Sequence, residues 1–346
     1  MKKIADEAEI LFIGTKKRIE AQVVPKTGYK FRTIWISGFR RGLSLANLLF
    51  PLKLAVSLVQ SFFIVKNFKP DVVIGTGGYV SGPVLRIASA FGIPTLIQEQ
   101  NSCPGTTTRM LAEKVDEVHL TFESSKKYFK RTGNLFVTGN PTRASLEHAD
   151  RKEALSYFGF NPQERLKTLL VFGGSLGAGS LNRAFLKDIK ELIKHDLRII
   201  WQTGETDYRK VLDGTAGIAR DRLWVDKFIE RMDYSYSASD LAVCRSGATT
   251  IAELTRLGKA AILVPYPRAA ADHQTENARS LRDAGAAELI PDNELSSKLV
   301  PAVVSLLRGN LLEEMGEKSR KLGKPSAGRD IAIRALALAG NKTGRK

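Results

Sequence analysis

The sequence predicts an α/β fold made of two Rossmann-like halves, each a parallel, doubly wound sheet with helices on both faces. Short apolar, β-rich runs alternate with helical stretches along nearly the whole chain, the pattern of βαβ units. The alternation loosens once, into polar helical sequence at 144–165, and then resumes. Several apolar runs end in small-residue turns that lead straight into helices. The 346 residues give length for two domains of ordinary size. The expected divisions are 1–145, 146–325, and a helix with a basic tail at 326–346.

In the first half, EILFIGT (9–15) reads as a strand, and 31–36 as a second. Residues 43–67 read as a helix broken near Pro51, whose ring removes a backbone donor. DVVIGTGG (71–78) is a buried strand running into a glycine loop, followed by the helix GPVLRIASAFG, which ends near Gly92. IPTLIQEQN (93–101) is a strand, 106–112 a helix, EVHLTF a strand and NLFVTGNP (134–141) another. The second half repeats the pattern in TLLVFGGSLGAGSLN, LRIIWQTG, RLWVDKFI, DLAVCRSGATT and AAILVPYP. In such sheets ligands bind beyond the carboxyl ends of the strands, and a cleft between the halves is the expected site.

The segment DLAVCRSGATTIAEL (240–254) is the most informative stretch. Leu241, Ala242 and Val243 form a buried strand, the chain turns over 245–250, and a helix follows from Ile251. Unpaired N–H groups and the positive end of a helix dipole meet there, which suits a diphosphate. Glu253, placed in the first helical turn, can reach sugar hydroxyls. The alternative is that Ser246 and the threonines simply cap the helix. TLLVFGGSLGAGSLN (168–182) follows the same logic, with Gly173, Gly174 and Ser175 ending a strand; it has no G-K-[ST] and is a poor dinucleotide fingerprint. GTGGYVSGP (75–83) places another such loop in the other half. Asp272, His273, Gln274 and Asn277 follow a buried strand, and Gln274 can both donate and accept toward a sugar. Glu99, Gln100 and Asn101 fall at a strand's carboxyl end. Arg143 suits a diphosphate or is a solvated surface charge.

Composition narrows the partners. The net charge of +17, from 53 basic and 36 acidic residues, implies an anionic partner. No acidic residue lies between Glu20 and Asp71, an interval holding Lys26, Lys30, Arg32, Arg40, Arg41, Lys53, Lys66 and Lys69. The same interval carries LANLLFPLKLAVSLVQSFFIV (45–65), too interrupted to span a bilayer. It either lies on an anionic membrane surface or packs as an amphipathic helix on its own sheet, or does both. Cys103 and Cys244 form no disulfide framework, which suits a reducing compartment. His119, His148, His195 and His273 lack metal-ligand spacing, and no D-x-D sits between a strand and a loop. No nucleic-acid-binding signature accompanies the charge. Residues 1–9 are charged, unlike a signal peptide.

GTGGYVSGP, IPTLIQEQNSCPG, VTGNPTR, FGGSLGAGSLN, IIWQTGE, FIERM, CRSGATTIAEL and DHQTENA occur in this order. Together they resemble the MurG family of bacterial cell-wall glycosyltransferases. The resemblance implies a GT-B fold, with an N-terminal acceptor and membrane-docking domain and a C-terminal UDP-sugar domain. It implies inverting transfer of N-acetylglucosamine from UDP-N-acetylglucosamine to undecaprenyl-linked lipid I, forming lipid II, at the cytoplasmic face of the cell membrane, without cofactor or metal. Donor-binding positions would be Asn101, Arg143, Ser175, Ile229, Ala248, Thr249, Thr250, Ile251, Ala252, Glu253 and Gln274. Glu253 would hold the ribose hydroxyls, the helix start would face the diphosphate, the Ile229 backbone would meet uracil, and Gln274 the sugar. Gly75, Thr76, Gly77, Gly78, Tyr79 and Ser81 would receive the acceptor diphosphate. The family opens with a strand and a glycine loop, G-G-T-G-G-H, and EILFIGT resembles its second strand. The reading therefore expects a displaced start or a fragment, and an unfilled slot with unpaired strand edges. No residue matches the family's candidate general base, which leaves the catalytic residue unknown, with His273 as the substitute nearest the donor motif. Two other readings stand beside this one: a different GT-B glycolipid glycosyltransferase, and a non-catalytic protein that binds a UDP-sugar or lipid carrier.

Overall fold

A computed structural model describes residues 1–2, 4–38, 48–174 and 176–340. They form two units, Met1–Asn140 together with the segment from Ser326, and Pro141–Pro325. In the first, the order is β1 (Leu11–Gly14), α1 (Glu20–Lys26), β2 (Lys30–Thr33), α2 (Phe50–Phe68), β3 (Val73–Gly75), α3 (Gly78–Ala90), β4 (Thr95–Glu99), α4 (Thr106–Leu111), β5 (Glu117–Leu120) and β6 (Leu135–Val137). Strands β3, β4, β5 and β6 lie side by side in that order, all parallel. Every residue of β4 is buried, as a strand covered on both faces should be.

Strands β1 and β2 form a separate parallel pair. Among the described residues, β1 and β3 each have one edge with no strand beside it. Both still share an apolar layer: Ile13 of β1 and Val73 of β3 pack on a cluster holding Val65, Val84 and Ala88.

Helix α2 differs from its expectation at its start. Pro51 stands at the first helical positions instead of breaking the helix. Its fixed φ suits a first turn, whose N–H groups have no partner inside the helix anyway. The expected helical residues 43–47, and the basic pair Arg40 and Arg41, lie outside the described residues. The helix is also turned against ordinary amphipathicity. It buries Ser57, Ser61 and Val65, while Leu52, Val59 and Phe63 stay 53%, 56% and 56% exposed.

In the second unit, α5 (Arg151–Tyr157) precedes β7 (Lys167–Phe172), α6 (Gly179–Ile193), β8 (Leu197–Gln202), α7 (Tyr208–Gly214), β9 (Leu223–Asp226), α8 (Met232–Ala238), β10 (Leu241–Cys244), α9 (Ala248–Leu257), β11 (Ala260–Leu263), α10 (His273–Asp283), β12 (Glu288–Leu289), α11 (Leu295–Leu306) and α12 (Leu311–Leu322). Its six strands run β12-β11-β10-β7-β8-β9, every pair parallel. The order winds outward from β7 in one direction and then, from β10, in the other. This is the doubly wound arrangement, with its switch point between β7 and β10. Leu169, Val171, Phe185, Trp201, Val243, Ile262, Leu299 and Val303 belong to its continuous core.

The last helix, α13 (Ala327–Gly340), returns to the first unit. Ile331 and Ala335 pack with Leu96 and Ile74. Arg334 donates to both carboxylate oxygens of Glu117, at 2.8 and 2.6 Å, and stacks over Phe136. Glu117 also accepts from His119 Nε2 at 2.9 Å, and His119 Nδ1 lies 3.1 Å from Thr138 Oγ1. Burial pushes the Glu117 carboxyl up, but hydrogen bonds from Arg334 and His119 and their charges hold it below the ordinary glutamate value.

A carboxyl lowered by folding adds stability above its unfolded value, and the gain is lost as pH falls through its folded value. Arg334→Met is therefore expected to destabilise the protein near neutral pH, with the gap to wild type closing in acid. Urea midpoints at about pH 7 and about pH 3 check this; an equal gap at both contradicts it.

Candidate functional site

The site of the second unit follows from strand register. Leu169 pairs with Leu241 and Phe172 with Cys244, so β7 and β10 end level. The glycine loop after β7 and the turn 245–247 after β10 therefore leave the same edge, at the switch point. Ser175 itself lies outside the described residues. The loop around it is set by close backbone approach. Gly177 has φ of 77°, and a Cβ there would fall 2.2 Å from the Thr203 carbonyl oxygen. A Cβ on Gly173 would fall 2.3 Å from that of Ala178. Only glycine allows the loop to fold down onto the turn after β8.

Two buried side chains tie this loop to its surroundings. Gln202 donates from Nε2 to the Gly174 carbonyl at 2.8 Å and accepts the Ile229 N–H on Oε1 at 2.8 Å. One amide thus joins the glycine loop to the FIERM segment. Arg245 donates to Ser180 Oγ at 2.8 Å, to Asp292 Oδ1 at 2.5 Å, and to the carbonyls of Val264 and Pro265 at 3.2 and 3.0 Å. It joins the start of α6 to the loop after β11. A cavity of about 280 Å³ beside Ile229 is lined by Tyr157, Trp224, Asp226, Lys227, Phe228, Ile229 and Glu230.

Helix α9 corrects the sequence reading in two respects. It begins at Ala248, with Gly247 as its extended N-cap, so Ala248, Thr249 and Thr250 are its first turn and Glu253 stands in the second. These small residues pose no barrier to helix after glycine. Capping by Ser246 or the threonines does not occur: no side chain caps this end. Ser246 Oγ instead donates to the Gln274 carbonyl at 2.8 Å. The N–H groups of a helix's first turn have no partner within the helix, and among the described residues no side chain caps this end. Gln274 is drawn in by the same bond, and its Oε1 accepts the Tyr266 N–H at 2.9 Å.

Glu253 is half-buried. Its Oε2 accepts from the hydroxyl of fully buried Tyr236 at 3.0 Å. Burial raises the Glu253 carboxyl above the ordinary value, against the pull of the Tyr236 hydrogen bond and the charge of Arg143. Arg143 reaches this neighbourhood because Arg256, on the same helix, donates to Thr142 Oγ1 at 2.9 Å and to Glu147 Oε1 at 2.8 Å. The second unit thus gathers Arg143, Ile229, Ala248, Thr249, Thr250, Ile251, Ala252, Glu253 and Gln274 around one edge. Ile251 and Ala252 are buried and contribute backbone and packing rather than exposed side chains. Gln202, Tyr236, Arg245 and Arg256 were not singled out in the sequence. The motifs IIWQTGE and CRSGATTIAEL contained Gln202 and Arg245, the latter read only as part of a turn, and Tyr236 and Arg256 looked like ordinary core and helix-face residues.

The first unit carries the remaining expected residues at the ends of β3 and β4. Gly77 and Gly78 have φ of 80° and 72° and open α3, which starts four residues before the GPVLRIASAFG run. Ser81 Oγ donates to the Gly77 carbonyl at 2.7 Å. Gln100 Nε2 donates to the Thr76 carbonyl at 2.9 Å, which ties Gly75, Thr76 and the half-buried Tyr79 to the end of β4. Buried Glu99 accepts the N–H groups of Asn101 and Gly105, each at 3.1 Å. Asn101 lies in this unit. His273 Nδ1 faces the Ala270 carbonyl oxygen at 2.6 Å. Among the described residues, no group of three or more His, Cys, Asp or Glu is placed to hold a metal ion.

Comparison with known proteins identifies the relatives of this arrangement. Residues 1–120 match the family model described as the glycosyltransferase family 28 N-terminal domain, and residues 168–331 match the C-terminal domain of that family. The chain is 45% identical to a protein of Prosthecochloris aestuarii, across 96% of this chain and 91% of that protein. It is 44% identical to a protein of Chlorobaculum parvum, across 98% and 93%. Both bear the name UDP-N-acetylglucosamine–N-acetylmuramyl-(pentapeptide) pyrophosphoryl-undecaprenol N-acetylglucosamine transferase. Among solved structures, MurG of Acinetobacter baumannii superposes with a TM-score of 0.78 at 28% identity, covering 97% of this chain and 93% of that one.

Gln202→Leu is expected to leave the buried Ile229 N–H and the Gly174 carbonyl without their partner, at a cost of about 2 kcal/mol or more. Urea unfolding checks it. An unchanged midpoint would mean that Gln202 does not hold the two loops together.

Proposed function

Since the chain belongs to glycosyltransferase family 28, in its MurG branch, we propose that it transfers N-acetylglucosamine from UDP-N-acetylglucosamine to undecaprenyl-linked lipid I, with inversion. In this reaction an acceptor sugar hydroxyl attacks the anomeric carbon of the donor. The new glycosidic C–O bond forms as the bond to the β-phosphate oxygen breaks. That electron pair leaves with UDP, and the hydroxyl proton passes to a base, for which no residue is assigned.

The observation that carries this reading is the edge between β7 and β10. Charge develops on the departing diphosphate, and fixed dipoles aimed at it lower the barrier. The N–H groups at Ala248, Thr249 and Thr250, which have no partner within the helix, supply such dipoles, with the glycine loop opposite and Arg143 adding a full positive charge. Ser175 belongs to this loop in the proposal. A carboxylate at Glu253 accepts from the ribose hydroxyls, Ile229 and the cavity beside it receive the uracil, and Gln274 reads the sugar. Asn101, in the first unit, is the remaining donor-binding position of the proposal. Gly75, Thr76, Gly77, Gly78, Tyr79 and Ser81 receive the acceptor diphosphate.

The acceptor's lipid places the work at a membrane, and α2 supports a peripheral association with the cytoplasmic face. No helix among the described residues is long and apolar enough to cross a membrane. A helix meant only to pack on its own protein buries its large apolar side chains. This one buries Ser57 and Ser61 beside Val65, and exposes Leu52, Val59 and Phe63. Lys53 stands 5.9 Å over half-exposed Trp35, and Lys66 5.7 Å over Phe62, beside that face. Such a surface inserts shallowly while its cations meet anionic headgroups.

Glu253→Ala is expected to weaken UDP binding at least about tenfold, the loss of a charge-assisted hydrogen-bonded pair. Titration calorimetry with UDP measures it, and an unchanged affinity contradicts the donor assignment. In a sedimentation assay with anionic vesicles, Leu52→Glu combined with Phe63→Glu should release the protein into the supernatant. Continued pelleting with the vesicles would rule out α2 as the docking face.

A further inference from the structure

Beyond the donor contacts, we propose that Tyr236 is a positioning residue: its buried hydroxyl fixes the Glu253 carboxylate in the orientation that receives the ribose diol of a uridine nucleotide. The inference rests on the proposed role of Glu253 and adds a residue that touches no substrate.

Tyr236 is completely buried, on α8. A phenol in that position needs a partner for its O–H, or the cost of desolvating it goes unmet. The partner is Glu253 Oε2, at 3.0 Å, seventeen positions along the chain. No other hydrogen bond to the Glu253 side chain occurs among the described residues. The ring is held from the side by Phe172, edge to face at 6.1 Å between centroids, at the end of β7. The backbone is held by Ser239, whose Oγ donates to the Tyr236 carbonyl at 3.1 Å. The hydroxyl therefore has a fixed address, and the longer, flexible glutamate is the side that adapts.

Helix α8 starts two residues after the Ile229–Glu230 pair, so one short element runs from that loop to the tyrosine that holds the Glu253 carboxylate. A hydrogen bond to one carboxylate oxygen leaves the other able to accept from vicinal hydroxyls, and it favours the ionised form. Burial works the other way on Glu253. Removing the tyrosine hydroxyl leaves burial less opposed, so the carboxyl protonates at higher pH. Nucleotide binding that needs the carboxylate then fails earlier on the acid side.

The test uses the full chain and UDP as probe, with calorimetric titrations across the acid range for wild type, Tyr236→Phe, Glu253→Gln and the double variant. Tyr236→Phe is expected to weaken UDP about fivefold near neutrality and to move the acid limb of binding to higher pH. In the Glu253→Gln background the same change should have no further effect on either quantity. Additive losses would overturn the inference, because a purely structural role for Tyr236 would act whatever stands at 253. So would an acid limb identical to wild type in Tyr236→Phe. Should Tyr236→Phe fold poorly, carbon-13 titration of the Glu253 carboxyl in the Tyr236→Leu variant, which also lacks a donor, gives the same reading: an unmoved titration overturns it. If Glu253→Gln itself leaves UDP affinity unchanged, the donor assignment falls, and the positioning role falls with it. If Glu253→Gln weakens UDP while Tyr236→Phe behaves as wild type, only the positioning role falls.

Discussion

The second unit depends on β7 and β10 lying side by side in parallel with Phe172 opposite Cys244. A sheet that winds outward in two directions must leave a gap where its crossovers diverge, and the gap opens at the carboxyl ends of those two central strands. A small-residue turn and a helix follow each of them. A one-residue slip of either strand would exchange the side chains packed on its two faces, and it would also draw the two turns apart. The buried polar ties at this edge all presuppose that register. Arg245 spans from Ser180 to Asp292, Gln202 from Gly174 to Ile229, and Ser246 reaches Gln274. Each satisfies groups that water would otherwise have to solvate, and each holds a loop whose backbone faces outward. The edge is tied together where it is polar, and an anion site made of amide dipoles needs its dipoles held in place.

Much of this was legible in the chain because parallel strands buried on both faces write themselves as short apolar runs. LAVC and AAIL are examples, and both are wholly buried. The glycine turns were legible too, since a residue such as Gly177 has no substitute at its backbone angle. The start of α9 was not. Ala248, Thr249 and Thr250 carry no periodic apolar signal, so a turn and a first helical turn look alike in the sequence, and Glu253 was placed one turn too early. Strand β12 has only two residues, too few for any alternation to register. Arg256 resembled a solvated helix charge because its partner Glu147 stands 109 positions earlier. Tyr236 resembled core for the same reason. Its meaning lies in a meeting with Glu253 that only folding creates.

The first unit shows a different physical economy. Its polar order is concentrated at the end of β4, where Gln98, Glu99, Gln100 and Asn101 bond to neighbouring backbone and to one another. Its outward helix α2 ignores the usual inside–outside rule, and nothing in the packing of the unit requires Val59 or Phe63 to face outward. The return of α13 onto this unit, locked by the Arg334–Glu117 pair, ties the last described helix to a sheet more than two hundred residues earlier in the chain. The carboxylate of this pair is largely shielded from water, and the pair fixes the docking geometry while apolar burial by Ile331 and Ala335 gives it strength.

The central claim is that amide dipoles at the β7–β10 edge bind a nucleotide's diphosphate. Hydrogen–deuterium exchange of the whole chain, with and without ligand, tests it most directly. Saturating UDP should slow exchange in peptides covering 173–180 and 246–252 together, and uridine, which lacks the phosphates, should leave both unchanged. Slowing that is equal for UDP and uridine, or confined to peptides elsewhere, would contradict the account.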